Sequence, residues 1–549
     1  MLMLLACLPL GAAAETIPAN AEYVEGEIII SSTKSVENSC GVLHSQSEDS
    51  VYIDFDKAGI ESLEEIETYS EADNVYVAEI DGSVEKACRE LNKNGNIVAE
   101  PNYILHSDSF TMPAEITRKS DVYTKYQKWY LNDIIKAPEA WQKYEVTGKS
   151  VTIAIVDTGF FTGAEDFPTN LWLNSKGTPG WNTYENNSDI SPIYKKNGTA
   201  FDNTNHGSNI AGVIGMASNG AGGIGASYGA KLMLLKAANY NSENEDPTFT
   251  TEAVVSALDF ARKNGADIIN MSLGTTGYIE AIANAVTRAY NAGILVVASA
   301  GNEAQSTNES KNYPAALKNV LGVMATGMPD SSGTVRLADF SNYNSNGNVC
   351  YEVAAPGVQI VGCGLSSSGF VAKNGTSQAT ALISSLAALY LEKHPSCTVQ
   401  ELKSAVVASS TSVLETNSSG VSYKYNTANA LDFLKYGEPS VPQKGKVRSV
   451  TIGDIALNYK GSAKLNPVIT ADNGVSYKVS YKSSNTAVAT VDGNGNVYGV
   501  KDWIKTSATI TCTVTDQYGN TVSDTCTVKV GYAWWQWIIG IVLFGWIWY

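Results

Sequence analysis

Histidine is scarce in this chain: 549 residues carry four. Any chemistry that uses an imidazole must draw on His44, His106, His206 or His394. Eight cysteines are spread along the sequence with no pair at zinc-ligand spacing, which argues against a thiolate metal site. Basic residues are in deficit, 38 against 55 acidic, for a formal net charge of −17. That balance argues against a nucleic-acid partner and suits a soluble extracellular surface. No Gly-x-Ser-x-Gly elbow surrounds Ser377, because Ala379 holds the last position. The missing elbow disfavours a lipase or esterase.

The chain is long enough for several domains. Met1 to Ala14 is apolar, ends in Gly11-Ala12-Ala13-Ala14 and is followed by Glu15, as in the core and cleavage site of a secretory signal. Its positive leading residues are missing, and Leu4-Leu5-Ala6-Cys7 also fits a lipoprotein box. Residues 22–116 read as a small α+β module. Its strands are expected at Glu27–Ile30, Asn74–Ile80 and Asn96–Tyr103, with a helix from Ser83 to Asn92. Ser107 to Tyr126 is polar and reads as a linker exposed to proteolysis. Residues 122–436 alternate apolar strands with helical patterns, the signature of an α/β parallel sheet covered on both faces. Four strands are expected, at Val151–Val156, Lys231–Ala237, Asp267–Met271 and Ile294–Ala298.

A second linker, Tyr436 to Lys446, leads to residues 447–531. Short alternating strands and Asn-Gly or Asp-Gly turns there indicate a β-sandwich. In a hairpin centred near Gly519, Cys512 and Cys526 would face each other, as a disulfide or as free buried thiols. Cys350 and Cys363 are a weaker pair. The tail, 533–549, is almost wholly apolar, with tryptophans at both ends like the aromatic belts of a membrane helix. It reads as a membrane anchor.

Three polar positions stand out in the α/β region. Asp157 directly follows an apolar strand, at the carboxyl end where such sheets bind ligands. His206 opens His206-Gly207-Ser208-Asn209-Ile210-Ala211-Gly212, whose small residues allow close packing around it. Ser377 lies in Gly375-Thr376-Ser377-Gln378-Ala379, at the start of an apolar helix where free N–H groups favour a developing negative charge. A serine activated by an imidazole that a carboxylate orients is a nucleophile. The order Asp, His, Ser is that of subtilisin and not of chymotrypsin or the α/β-hydrolases.

On these motifs, from Ala154-Ile155-Val156-Asp157-Thr158-Gly159 onward, the chain resembles the subtilisin-like serine peptidases, or subtilases, over roughly Trp129 to Leu434. The resemblance implies a serine endopeptidase acting through an acyl-enzyme on protein and peptide substrates. It matches the family's oxyanion asparagine to Asn302, in Ala300-Gly301-Asn302-Glu303. It gives Ser272, Leu273 and Gly274 the role of an edge that pairs with substrate, and Ala300 and Gly301 the opposite wall of the specificity pocket. Glu303, beside that pocket, would favour a basic side chain, against which stands the broad pocket common in the family, so the sequence does not give the substrate preference. No cofactor is implied for the chemistry. A structural calcium ion is left open, because Glu165-Asp166-Phe167 matches the family's ligands only loosely.

Residues 22–116 resemble a subtilase propeptide, an intramolecular inhibitor released by cleavage in the linker that follows. Residues 447–531 resemble a bacterial immunoglobulin-like domain. Together these features describe a bacterial zymogen, exported and held at the cell surface by its tail. The alternative is a catalytically silent adhesion protein on the same fold. The chain departs from the family pattern after the serine, where Ala381-Leu382-Ile383 replaces a proline-histidine segment, and at Asn209, where the family carries histidine.

Overall fold

The computed structural model describes residues 21–533, apart from 39–49, 54, 67–73, 109, 118–121, 165, 195–203, 221, 241–246, 346, 367–368, 417–421, 437–446, 473–474, 501–506 and 518. The expected signal segment lies outside these residues, and so does the expected anchor beyond Ala533. Among the described residues no helix is long and apolar enough to cross a membrane. The chain divides into two compact units, 1–437 and 438–549.

The first unit is built on a nine-stranded sheet. The four expected apolar runs lie side by side at its centre as Lys231–Lys236, Thr152–Asp157, Ile268–Met271 and Leu295–Ser299, all parallel. Val320–Thr326 and Val353–Pro356 extend it. Their residues are buried on both faces, which is why these strands read as unbroken apolar runs without alternation. From Thr152–Asp157 the chain returns first to one side, through Lys231–Lys236, and then to the other, through Ile268–Met271. The carboxyl end of Thr152–Asp157 is therefore a topological switch point, where α/β sheets place their ligands.

Helices His206–Gly215 and Thr376–Lys393 pack together on one face. The second is buried from Thr376 to Tyr390. Thr251–Lys263 and Glu280–Asn291 lie in the other apolar cluster, on the opposite face.

The N-terminal module is an antiparallel sheet in the order Ile60–Ile66, Asn74–Ile80, Tyr23–Ser32, Ile97–Ser107. The expected helix is present as Val84–Leu91, with the Ser83 side chain capping the Lys86 N–H. The sheet does not end with the module. Strand Ile97–Ser107 pairs antiparallel with Thr248–Thr250 and with Leu273–Gly274 of the α/β region. Leu105 is fully buried in the same apolar cluster as Phe249, Leu273 and Ile279.

The expected exposed linker is a correction. Asp108 is buried, and Phe110–Thr117 is a strand that pairs antiparallel with Gly369–Asn374. Polar composition suggested solvent, but the backbone of this segment finds its partners in two edges of the α/β region.

The second unit is made of strands in three sheets around one apolar core that includes Val447, Leu465, Val497, Ile510 and Val528. The Ser507–Asp516 and Thr521–Gly531 strands form the expected hairpin. Its register puts Cys512 opposite Asp524 and Cys526 opposite Ile510, so the two thiols are not cross-strand partners. Both are free and buried, and Cys350 and Cys363 are free as well.

Candidate active site

Strand Thr152–Asp157 carries Asp157 to the switch point, where its carboxylate is fully buried. Asp157 Oδ1 accepts the Thr158 N–H at 2.7 Å and sits 2.7 Å from His206 Nδ1. That contact places the imidazole proton on Nδ1 and leaves the lone pair on Nε2. His206 is the first residue of its helix, also fully buried, and Nε2 has no hydrogen-bond partner among the described residues. The close approach depends on Gly207: a Cβ there would lie 2.4 Å from the Gly159 carbonyl and 3.0 Å from Asp157 Oδ1.

Ser377 lies in the first turn of Thr376–Lys393 and is buried. Its hydroxyl is not bonded to His206. It donates to the Asp108 carbonyl at 2.6 Å and to the Ser272 carbonyl at 3.2 Å. The Ser377 N–H donates to the same Asp108 oxygen at 3.2 Å. The second residue of the expected linker thus presents its carbonyl to both the nucleophile and the helix N-terminus. Ser377 and His206 are not hydrogen-bonded while that carbonyl accepts the serine hydroxyl's hydrogen bond. Such bonds are often formed only as reaction proceeds.

The remaining sequence-derived residues gather around this point. Asn302 Oδ1 accepts the Thr376 N–H at 2.9 Å and the Thr376 hydroxyl at 3.1 Å. This fixes which end of the amide is oxygen. Ser272 is anchored at both ends of its side chain: Asn270 Nδ2 donates to Oγ, and Oγ donates to the Ser377 carbonyl at 3.1 Å. Leu273 and Gly274 pair with Ser107 and His106, so this edge carries the chain's own segment as an added strand. The Ala300 carbonyl accepts Asn342 Nδ2, and the Gly301 N–H donates to the Thr376 hydroxyl.

The pocket beside Glu303 is filled by the chain itself. The side chain inside is that of Asp108, whose Oδ2 accepts Ser299 Oγ at 2.5 Å and Asn312 Nδ2 at 3.0 Å. Glu303 is itself held by Asn342 Nδ2 at 2.7 Å. Burial, and then the charge of Glu303, push the Asp108 carboxyl up to about 7. Asp108, Ser299 and Asn312 escaped the reading of the sequence. None sits in a motif, and only the register of strand Ile97–Ser107 brings Asp108 to the pocket.

Asn209, the departure from the family pattern, is a clamp. Its Nδ2 donates to the Val371 carbonyl at 2.8 Å, and its Oδ1 accepts Gln378 Nε2 at 3.1 Å. One buried amide thereby ties the His206 helix to the Ser377 helix and to the strand that pairs with Phe110–Thr117. Asn209→Leu strands both partners without solvent. We expect a loss of about 2–4 kcal/mol, read as a lower urea midpoint with an unchanged slope.

Of the loose calcium match, Asp166 and Phe167 are described. Asp166 is buried, and its carboxylate accepts Asn219 Nδ2 at 2.9 Å and the Gly223 N–H at 3.1 Å. Glu165 lies outside the described residues. Among the described residues no group of three or more His, Cys, Asp or Glu side chains could hold a metal ion.

Known proteins agree with this architecture. The subtilase family model matches residues 148–433. A thermophilic serine proteinase of Bacillus sp. strain AK1 is 30% identical over 359 residues, spanning 65% of this chain and 77% of its own length. Subtilisin E of Bacillus subtilis is 30% identical over 329 residues, 60% of this chain and 74% of its own. The minor extracellular protease Epr of B. subtilis is 29% identical over 324 residues, but the match spans only 44% of Epr. Among solved structures, fervidolysin from Fervidobacterium pennivorans, a keratinolytic enzyme related to subtilisin, superposes with a TM-score of 0.57 at 18% identity, over 94% of this chain and 79% of its own. That likeness supports the fold. With the family model covering more than half of its length, the chain belongs to the subtilase family of serine endopeptidases.

Proposed function

We propose that this chain is an exported serine endopeptidase made as a zymogen, with Ser377 as nucleophile and His206 as base and then acid. Asp157 holds the imidazole and stabilises its charged form. The Ser377 N–H and Asn302 Nδ2 receive the oxyanion. Ser272, Leu273 and Gly274 hold the substrate backbone, and Ala300 and Gly301 wall the pocket. The observation that carries this reading is the Asp108 carbonyl, which rests on Ser377 Oγ and N while His206 is bound to Asp157. A carbonyl so held is poised for acyl transfer.

Residues 22–116 contain the inhibitor, which ends at the cleavage site, residues 122–436 act as the peptidase and residues 447–531 as an immunoglobulin-like sandwich. The apolar tail, 533–549, anchors the protein at the cell surface. The tail's support is its sequence alone: a run of apolar residues bracketed by tryptophan. The test of the activity is fluorophosphonate labelling and casein hydrolysis by the full chain. Labelling is expected in the native protein and not in Ser377→Ala. A label that persists in that variant would assign the nucleophile elsewhere, and a folded chain that never labels would favour a silent binding protein.

The inhibitory contact is expected to depend on pH. Burial raises the Glu100 carboxyl to about 7, although it accepts the Glu280 and Ala281 N–H groups. Burial, then Glu27 and Glu64 of the module, raise Glu252 to about 7. Asp108 behaves alike. Free carboxyls titrate near 4. A carboxyl whose docked pKa is raised binds best protonated, so docking is at full strength below about pH 4. It weakens as pH rises from there to about 7, and is constant above. After cleavage, the N-terminal segment should co-elute with the peptidase at pH 5 and separate from it at pH 8. Equal co-elution at both values would contradict the linkage.

A further inference from the structure

We propose that the bond this chain cuts in itself is Asp108–Ser109, and that Ser299 and Asn312 restrict its pocket to a short acid or amide side chain, aspartate or asparagine. The inference rests on the serine-peptidase reading and adds to it a cleavage site and a substrate class.

The geometry on both sides of Asp108 is that of a bound substrate. Before it, His106 and Ser107 pair with Gly274 and Leu273, and the Asp108 N–H donates to the Ser272 carbonyl at 3.2 Å. After it, Phe110–Thr117 pairs with Gly369–Asn374, with Phe110 opposite Asn374. The backbone is thus held as a strand before and after one carbonyl, and that carbonyl is the one on Ser377. Cleavage there balances simply. Ser377 Oγ bonds to the Asp108 carbonyl carbon and its proton passes to His206 Nε2. The Asp108–Ser109 C–N bond breaks, and His206 gives the proton to the Ser109 amine. Water then hydrolyses the ester, leaving the Asp108 carboxylate and a free Ser377.

The pocket's depth sets the side chain. Asn312 Nδ2 meets the Asp108 carboxyl at 3.0 Å and is held in place by the Ser299 carbonyl at 2.9 Å, while the Asn312 N–H donates to the Tyr351 hydroxyl. Across from it, a Cβ on Gly274 would lie 2.3 Å from Asn312 Nδ2, so the amide fills the space between the walls. A leucine, phenylalanine, lysine or arginine would run into Asn312. Two donors, Ser299 Oγ and Asn312 Nδ2, converge on one oxygen. A hydrocarbon in that place would leave both unpaired and buried, which a polar pocket strongly rejects. Burial and then the charge of Glu303 disfavour a negative charge there, which favours a protonated aspartic acid or its isostere, asparagine, over a charged side chain.

The test uses the full chain. N-terminal sequencing of the processed protein is expected to begin at Ser109, and a peptide library is expected to be cut after Asp and Asn. In the intact chain, Asp108→Asn should process like the native protein, and Asp108→Leu at least about tenfold more slowly. Asn312→Gly should shift the library profile toward longer side chains. A chain that labels with fluorophosphonate but processes elsewhere, or cuts after Leu, Phe or Lys in preference to Asp and Asn, overturns this inference alone. A chain that neither labels nor processes overturns the serine-peptidase reading and this inference with it.

Discussion

His206→Ala is expected to lower kcat about a millionfold, the loss measured in subtilisin when its own triad histidine is removed. The expectation follows from what the ring does here. Nδ1 is committed to Asp157 at 2.7 Å, and Nε2 is buried and without a partner among the described residues. Among the described histidines, His206 alone is paired with a buried carboxylate at the sheet's switch point. Among the described residues the hydroxyl's two acceptors are backbone carbonyls, which cannot serve as bases. His206→Ala also leaves Asp157 as a buried carboxylate held, among the described residues, by the Thr158 N–H, so the variant should melt earlier than the native protein. Activity is therefore compared well below that melting point. The decisive measurement is the double variant with Ser377→Ala. Residues that act as one unit are not additive, so the pair should lose no more than either alone. A further large loss would show that His206 and Ser377 act separately.

The sequence made the catalytic half of the molecule legible for a physical reason. Parallel strands buried on both faces must be continuous apolar runs. A polar residue directly after one, like Asp157, has a local cause to be noticed. Ser377 and His206 were visible because small residues crowd around them, and Gly207 shows why: its hydrogen is all that fits against Asp157 and Gly159. The substrate side was not legible. Asp108 is polar, sits among polar residues and carries no periodicity. Its burial comes from pairing with strands about 165 and 260 residues further along the chain, at Leu273–Gly274 and Gly369–Asn374. Asn312 likewise looks like any loop asparagine until Gly274 is brought opposite it. Cys512 and Cys526 failed for a smaller reason. The hairpin was located correctly, but its register is offset by two residues, and pairing in a sheet is decided by register.

Asn302 offers the second large effect, and one that separates chemistry from scaffolding. Its Oδ1 holds the Thr376 N–H and hydroxyl, at the root of the helix that carries Ser377. Its Nδ2 has no hydrogen bond among the described residues, which leaves that donor for the oxyanion. Asn302→Ala removes both functions, so its loss alone would be ambiguous. Asn302→Asp keeps an oxygen acceptor for Thr376 and removes only the donor, while placing negative charge where negative charge develops. Both variants are expected to lose about 100- to 1,000-fold in kcat, the range measured for the oxyanion asparagine of subtilisin itself, with little change in KM. Losing a donor that acts only in the transition state lowers kcat and kcat/KM together. The aspartate variant should keep native thermal stability more closely than the alanine variant. If Asn302→Asp retained native turnover, the amide would be a strut for Thr376 and nothing more, and the oxyanion would rest on the Ser377 N–H alone.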